Sequence, residues 1–174
     1  MHPPSASAVA VSRPGEQSFQ VVVEQTDLWI LAQEDLRRQA SDLIHELRAA
    51  LKGEIALHPE FRDSLEPVDV PEGVHPVVRD MAEAGLACGV GPMAAVAGAI
   101  AQGVAEGLAP LSPDVLVENG GDVHMLSTVE RTVALLSDPS SRAGLGLCLA
   151  PEDFPVSLCA SSGRIAAAIG PTIA

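Results

Sequence analysis

The segment Val115-Leu116-Val117-Glu118-Asn119-Gly120-Gly121-Asp122-Val123-His124-Met125-Leu126 decides the fold class. Two short apolar runs flank Asn119-Gly120-Gly121-Asp122. Asn-Gly and Gly-Gly accept the positive φ that tight hairpin turns require. The reading is an antiparallel hairpin. A second hairpin is expected upstream, where residues 19–24 and 28–32 are rich in Val, Ile, Leu and Trp around Gln25-Thr26-Asp27. Further short strands are expected over 132–136, 145–149 and 156–159.

Between these strands the apolar period changes. Leu36, Ala40, Leu43, Ile44, Leu47, Leu51 and Ile55 recur at three and four positions, predicting an amphipathic helix over 34–57. Asp35 in its first turn and Lys52 near its end would suit the helix dipole. His58 precedes Pro59 and ends the helix. Residues 65–76, with three prolines, read as a surface connection. Helices follow over 77–87 and 93–108, the second with Pro92 in its first turn. Strands, then helices, then strands argue for one α+β domain over 18–174, an antiparallel sheet packed against helices. Residues 1–17, rich in Pro, Ser and Ala, read as a flexible leader.

The composition narrows the function classes. Hydrophobic residues make up 47% of the 174 and aromatics 2%, so the core is aliphatic. The formal net charge of −13 repels phosphate backbones and anionic lipid, and no basic stripe offsets it. Nucleic acid and membrane surfaces are therefore not expected partners. Cys88, Cys148 and Cys159 share no C-x-x-C spacing and read as reduced thiols of a cytoplasmic protein. The uncharged run over 84–101 is broken by Gly89, Gly91 and Pro92, which favours a buried helix over a membrane span.

Three turns are candidate ligand contacts. Cys88-Gly89-Val90-Gly91-Pro92-Met93 opens the helix of small residues, whose first amides favour an anion. The alternative is close packing of that helix, which Ala94, Ala95, Ala97, Gly98, Ala99 and Ala101 support. In Glu118-Asn119-Gly120-Gly121-Asp122, hairpin geometry explains the central residues but not the two carboxylates. Glu118 and Asp122 are candidate Mg²⁺ ligands, and Asp122 is the candidate catalytic base. Both also suit a solvated turn. Ala160-Ser161-Ser162-Gly163 offers hydroxyls and amides for a phosphate, and no G-x-S-x-G elbow is present. His124 lies two residues beyond Asp122, on the same face of a strand. The remaining histidines carry no metal-ligand spacing.

The ordered set Gly91-Pro92-Met93-Ala94-Ala95-Val96-Ala97-Gly98, Val117-Glu118-Asn119-Gly120-Gly121-Asp122 and Cys159-Ala160-Ser161-Ser162-Gly163 resembles a group related to the ApbE (thiamine-biosynthesis lipoprotein) flavin transferases. The first hairpin and His58-Pro59-Glu60-Phe61 share the likeness. It implies an ApbE-like fold and a site for FAD and Mg²⁺, from which FMN passes to a Ser or Thr of a target protein. Gly91, Asn119, Gly120, Gly121, Asp122, Ser161, Ser162 and Gly163 would line that site. The metal ligands that the transferases carry in a late Ala-Asp-Ala-type segment have no match between Arg164 and Ala174, so the domain's C-terminal part is expected to be shortened or incomplete. Two functions follow as expectations. One is a protein binding a phosphorylated ligand such as a flavin nucleotide. The other is an interaction module that has lost the site and forms homo-oligomers through its Ala/Gly helix. The first requires the turns near residues 91, 120 and 162 to converge.

Overall fold

Both expected hairpins form. In the computed structural model, which describes residues 8–10, 12–135, 145–160 and 167–171, β2 (Gln17–Val23) pairs antiparallel with β3 (Thr26–Ala32). Their turn is the pair Glu24-Gln25, shorter than the three residues read from the sequence. The second hairpin joins β4 (Val115–Asn119) to β5 (Asp122–Leu126) through Gly120 and Gly121, at φ 63° and 111°. Both angles lie where only glycine is unstrained, so the sequence selects a two-residue loop.

The helices assemble between the hairpins. α1 (Arg37–Leu57) buries Ala40, Ile44, Leu47 and Leu51 along the expected stripe. It begins at Arg37 and not at residue 34. Asp35 lies ahead of it and accepts from the Arg37 N–H at 3.2 Å. Leu36, buried beside the sheet, holds the chain where it turns into the helix. A single turn, α2 (Glu60–Asp63), follows the helix end at His58 and buries Phe61. α3 (Pro76–Cys88) ends on Gly89 in the left-handed region, φ 69°. The expected helix over 93–108 divides into a 3₁₀ turn, Pro92–Ala95, and α4 (Val96–Leu108). Gly103 and Gly107 of α4 admit Leu47 and Leu43 of α1, so the two helices approach closely at these positions.

The remaining strands are β6 (Arg131–Leu135), β7 (Leu145–Leu149), β8 (Val156–Ala160) and β9 (Ala167–Pro171). Six strands form one antiparallel sheet in the order β2-β3-β4-β5-β8-β9. Its face carrying Val21, Leu28, Ile30 and Val117 packs on α1, α3 and α4 as the main core. The fold class is thus α+β with an antiparallel sheet on helices. A second sheet was not foreseen: β6 pairs with β7 and with β1 (Ala8–Ala10). Val133 and Leu149 from it meet Val123, Met125, Val156 and Leu158 on the far face of the main sheet, making a second core. The stretch read as a leader therefore contributes a strand at 8–10. It also contributes Glu16, which is ion-paired with buried Arg131. Ala-Val-Ala has little strand signal of its own, and long-range pairing decides it.

Among the described residues no single helix is long and apolar enough to cross a membrane. The pair Pro76–Cys88 and Pro92–Leu108 turns through 108° at its break. Val78, Met81, Ile100 and Ala101 from the two helices lie in the main core.

Candidate functional site

Strand register brings several turns to one end of the main sheet. Val23 pairs with Thr26, Leu28 with Asn119, Asn119 with Asp122, and Asp122 with Cys159. The turns at 24–25 and 120–121 and the chain leaving β8 at Ala160 therefore share that end. Residues opposite one another in register share a face. Val21, Leu28, Asn119, Asp122 and Cys159 accordingly lie on the face that carries the helices.

The start of α4 closes over this row. Asn119 Nδ2 donates to the Ala97 carbonyl at 3.0 Å. A Cβ on Gly98 would have Asp122 Oδ2 as its nearest neighbour, at 4.0 Å. Asn119 and Asp122 thus meet the first turn of α4. Asp122 is in register with Cys159, and its carboxylate, followed by burial, pushes that thiol up to about 11. At that value the Cys159 thiol is protonated at neutral pH.

The other candidates are placed differently. The Gly91 N–H donates to the Leu65 carbonyl at 2.9 Å. A Cβ there would sit 1.9 Å from the Ser64 carbonyl oxygen. The close approach that glycine permits at 91 is thus by the chain's own 64–65 segment. Gly121 donates its N–H to Glu118 Oε1 at 2.9 Å. The pleat turns Glu118 to the face opposite Asp122, level with Trp29 and Val123. Burial raises its carboxyl above the usual range, partly offset by the Gly121 N–H. The expected Glu118–Asp122 metal pair is therefore divided between two faces. Among the described residues no three His, Cys, Asp or Glu side chains are grouped to hold a metal ion. These side chains do not by themselves form the Mg²⁺ site that the ApbE likeness implies. Ser161, Ser162 and Gly163 lie outside the described residues. The last described residue before them is Ala160, in register with Ala167.

His124 shares the helix-facing side, one row in from Asp122, opposite Val117 and Ser157. Its Nδ1 is 2.8 Å from Ser157 Oγ, and its buried Nε2 has no partner among the described residues. Burial lowers its pKa to about 4, so the ring is neutral at physiological pH.

The cavity at this end holds residues that sequence reasoning missed. A cleft of about 370 Å³ opens between α1, the first hairpin turn and the start of α4. Leu51, Ile55, Met93, Val96 and Ile100 form its apolar walls, and Gln25, Thr26, Arg48, Lys52 and Asn119 supply polar groups. Arg48 donates to Thr26 Oγ1 at 2.7 Å, to Gln25 Oε1 at 2.8 Å and to Glu24. Lys52 reaches both Glu24 oxygens at 2.8 Å. Lys52 first, then Arg48, holds the Glu24 carboxyl below its usual range. The sequence carried one usable signal. Like charges at i and i+4 of a helix repel unless an acid faces both, and Arg48 and Lys52 have that spacing.

An antiparallel sheet on helices, with one cleft joining cations, an amide and apolar walls, defines a small α+β domain with a ligand-sized cavity. The chain belongs to the AbpE bacteria family, which it matches over residues 9–168. It is similar to a UPF0280 protein of Methanocella arvoryzae, 36% identical over 152 residues, 87% of this chain and 60% of the relative. A UPF0280 protein of Methanosarcina acetivorans is 33% identical over 165 residues, 94% of this chain and 63% of the relative. One from Methanococcus maripaludis is 38% identical over 132 residues, 74% and 53% respectively. The chain thus spans just over half to under two thirds of these curated relatives.

Proposed function

We propose that this chain binds a flavin nucleotide in the cleft between α1 and the start of α4. The observation that carries the reading is the cleft itself. Its volume of about 370 Å³ falls within the range of small-molecule sites, roughly 300–1,000 Å³. The walls formed by Met93, Val96, Ile100, Leu51 and Ile55 suit a flat apolar ring system. Asn119 offers an amide at the edge, where a heteroaromatic ring presents its donors and acceptors. The resemblance of the ordered motifs to a group related to the ApbE flavin transferases favours a flavin over other ring systems. Transfer of FMN from FAD to a protein hydroxyl, with the pyrophosphate bond broken and AMP leaving, is the finer form of the reading. Asp122, beside the first turn of α4, is the candidate base that takes the hydroxyl proton.

Thermal unfolding with FMN and with FAD, each with and without Mg²⁺, tests the proposal. Ligand at 100 times its dissociation constant adds about 2.7 kcal/mol, raising the melting temperature by about 5–10 °C. Asn119→Ala is expected to lose most of that ligand-induced rise and Asp122→Asn part of it. His45→Ala, on the exposed side of α1, keeps it. No rise with either flavin sinks the proposal. Equal losses in Asn119→Ala and His45→Ala remove Asn119 from the site.

A further inference from the structure

The geometry points to Arg48 and Lys52 as a seat for the phosphate end of the cleft's ligand, which Glu24 occupies as an internal stand-in while no ligand is bound. The inference rests on the cleft being the ligand site and deepens that reading by assigning its anionic end. Three observations support it.

The first is charge. Arg48 and Lys52 lie one turn apart on α1, and both line the cleft. Among the described residues Glu24 is the only carboxylate bonded to either. Two cations against one acid leave a net positive charge at this end of the cleft, within a chain whose formal charge is −13. Such local excess draws an anion and holds it against the overall field.

The second is an incompletely used donor set. The Arg48 side chain is 13% exposed, and its buried Nε has no hydrogen-bond partner among the described residues. Its terminal nitrogens are fixed on Thr26, Gln25 and Glu24. A guanidinium presents five N–H groups in a rigid fork that suits phosphate, and here the Nε–H of that fork is unsatisfied. A phosphate taking Glu24's place offers more acceptor oxygens than the carboxylate it displaces.

The third is the backbone of the stand-in. Glu24 has φ 54°, the only positive value at a non-glycine residue among those described. Side chains seldom adopt this region, and residues held there concentrate at functional sites. Glu24 sits in a two-residue turn next to Gln25 and Thr26, which line the cleft, and is half exposed, so its carboxylate can swing into solvent when an anion arrives. Lys52, also exposed, is free to follow the incoming group.

Isothermal titration of inorganic pyrophosphate into the whole chain at low salt tests the seat. Wild type is expected to bind. Lys52→Gln should weaken binding about tenfold, the scale of one charge-assisted hydrogen bond. Glu24→Gln should strengthen it by a similar factor, because the internal competitor is gone while the turn keeps its length. Circular dichroism of both variants, each altered at an exposed side chain, checks that the fold persists. Absence of binding in wild type and Glu24→Gln alike, or weaker binding in Glu24→Gln, overturns the inference. FMN separates this result from the flavin reading. Pyrophosphate binding without FMN binding ends the flavin reading and leaves the seat standing. FMN binding that Lys52→Gln and Glu24→Gln leave unchanged ends the seat and leaves the flavin reading standing.

Discussion

Gly91→Ala is expected to destabilise the chain by about 3 kcal/mol or more, lowering its melting temperature by about 6–12 °C. The added Cβ would lie 1.9 Å from the Ser64 carbonyl oxygen and 2.8 Å from its carbon. Both are backbone atoms, so no rotamer change relieves the clash. The 64–65 segment would have to withdraw, breaking the Gly91 N–H to Leu65 bond of 2.9 Å. Pro92, buried directly after Gly91, begins the turn that leads into α4, so the disturbance reaches the cleft wall at Met93. Gly98→Ala is the matched control. Its Cβ meets nothing nearer than Asp122 Oδ2 at 4.0 Å, and alanine favours a helix interior over glycine by about 0.8–1 kcal/mol. Gly98→Ala should therefore melt at or above wild type. A Gly91→Ala melt within a degree of wild type would contradict the packing described here.

The second large effect is a loss of stability in mild acid that depends on His124. This ring is 1% exposed in the fold, and burial holds its pKa at about 4 against an ordinary 6.5. Between those values the unfolded chain binds a proton that the folded chain does not, so stability falls as pH falls. The contribution is intact above pH 6.5 and declines through the window, and the loss amounts to about 3 kcal/mol by pH 4. Among the described residues no carboxylate is hydrogen-bonded to the ring to compensate. Its recorded partner is Ser157 Oγ. Urea melts of wild type and His124→Gln at pH 7.0, 5.5 and 4.0 isolate this term from the carboxylates, which both proteins share. The two proteins should converge in stability as pH falls, wild type losing about 3 kcal/mol more than the variant. Parallel decline would mean that the ring takes up its proton without penalty, against the burial seen here.

Local chemistry made much of this fold legible. The α1 stripe, the Gly120-Gly121 turn, the strand over 145–149 and the helix after His75 each follow from residues adjacent in sequence. What escaped was set by distant pairing. Ala8–Ala10 is a strand because β6 lies beside it, and the second sheet exists because Val133 and Leu149 cover Val123 and Met125. The candidate site divides in the same way. Asn119 and Asp122 were readable as a turn with carboxylates, and register places them against α4. Gly91 was readable as a close approach, but the approaching group is the chain's own carbonyl. The separation of Glu118 from Asp122 follows from the two-residue loop, since the pleat alternates faces along β4. Arg48 and Lys52 gave almost no signal, because their partners at 24–26 lie more than twenty residues away.

The proposed ligand site is one cleft, bounded by Arg48 and Lys52 at one end and Asn119 at another. A crystal structure of the chain grown with saturating FMN tests it most directly. The account predicts the ring against Met93, Val96 and Ile100, the phosphate on Arg48 and Lys52, and Glu24 turned out to solvent. FMN bound at any other surface, or that cleft unfilled at saturation, would contradict it.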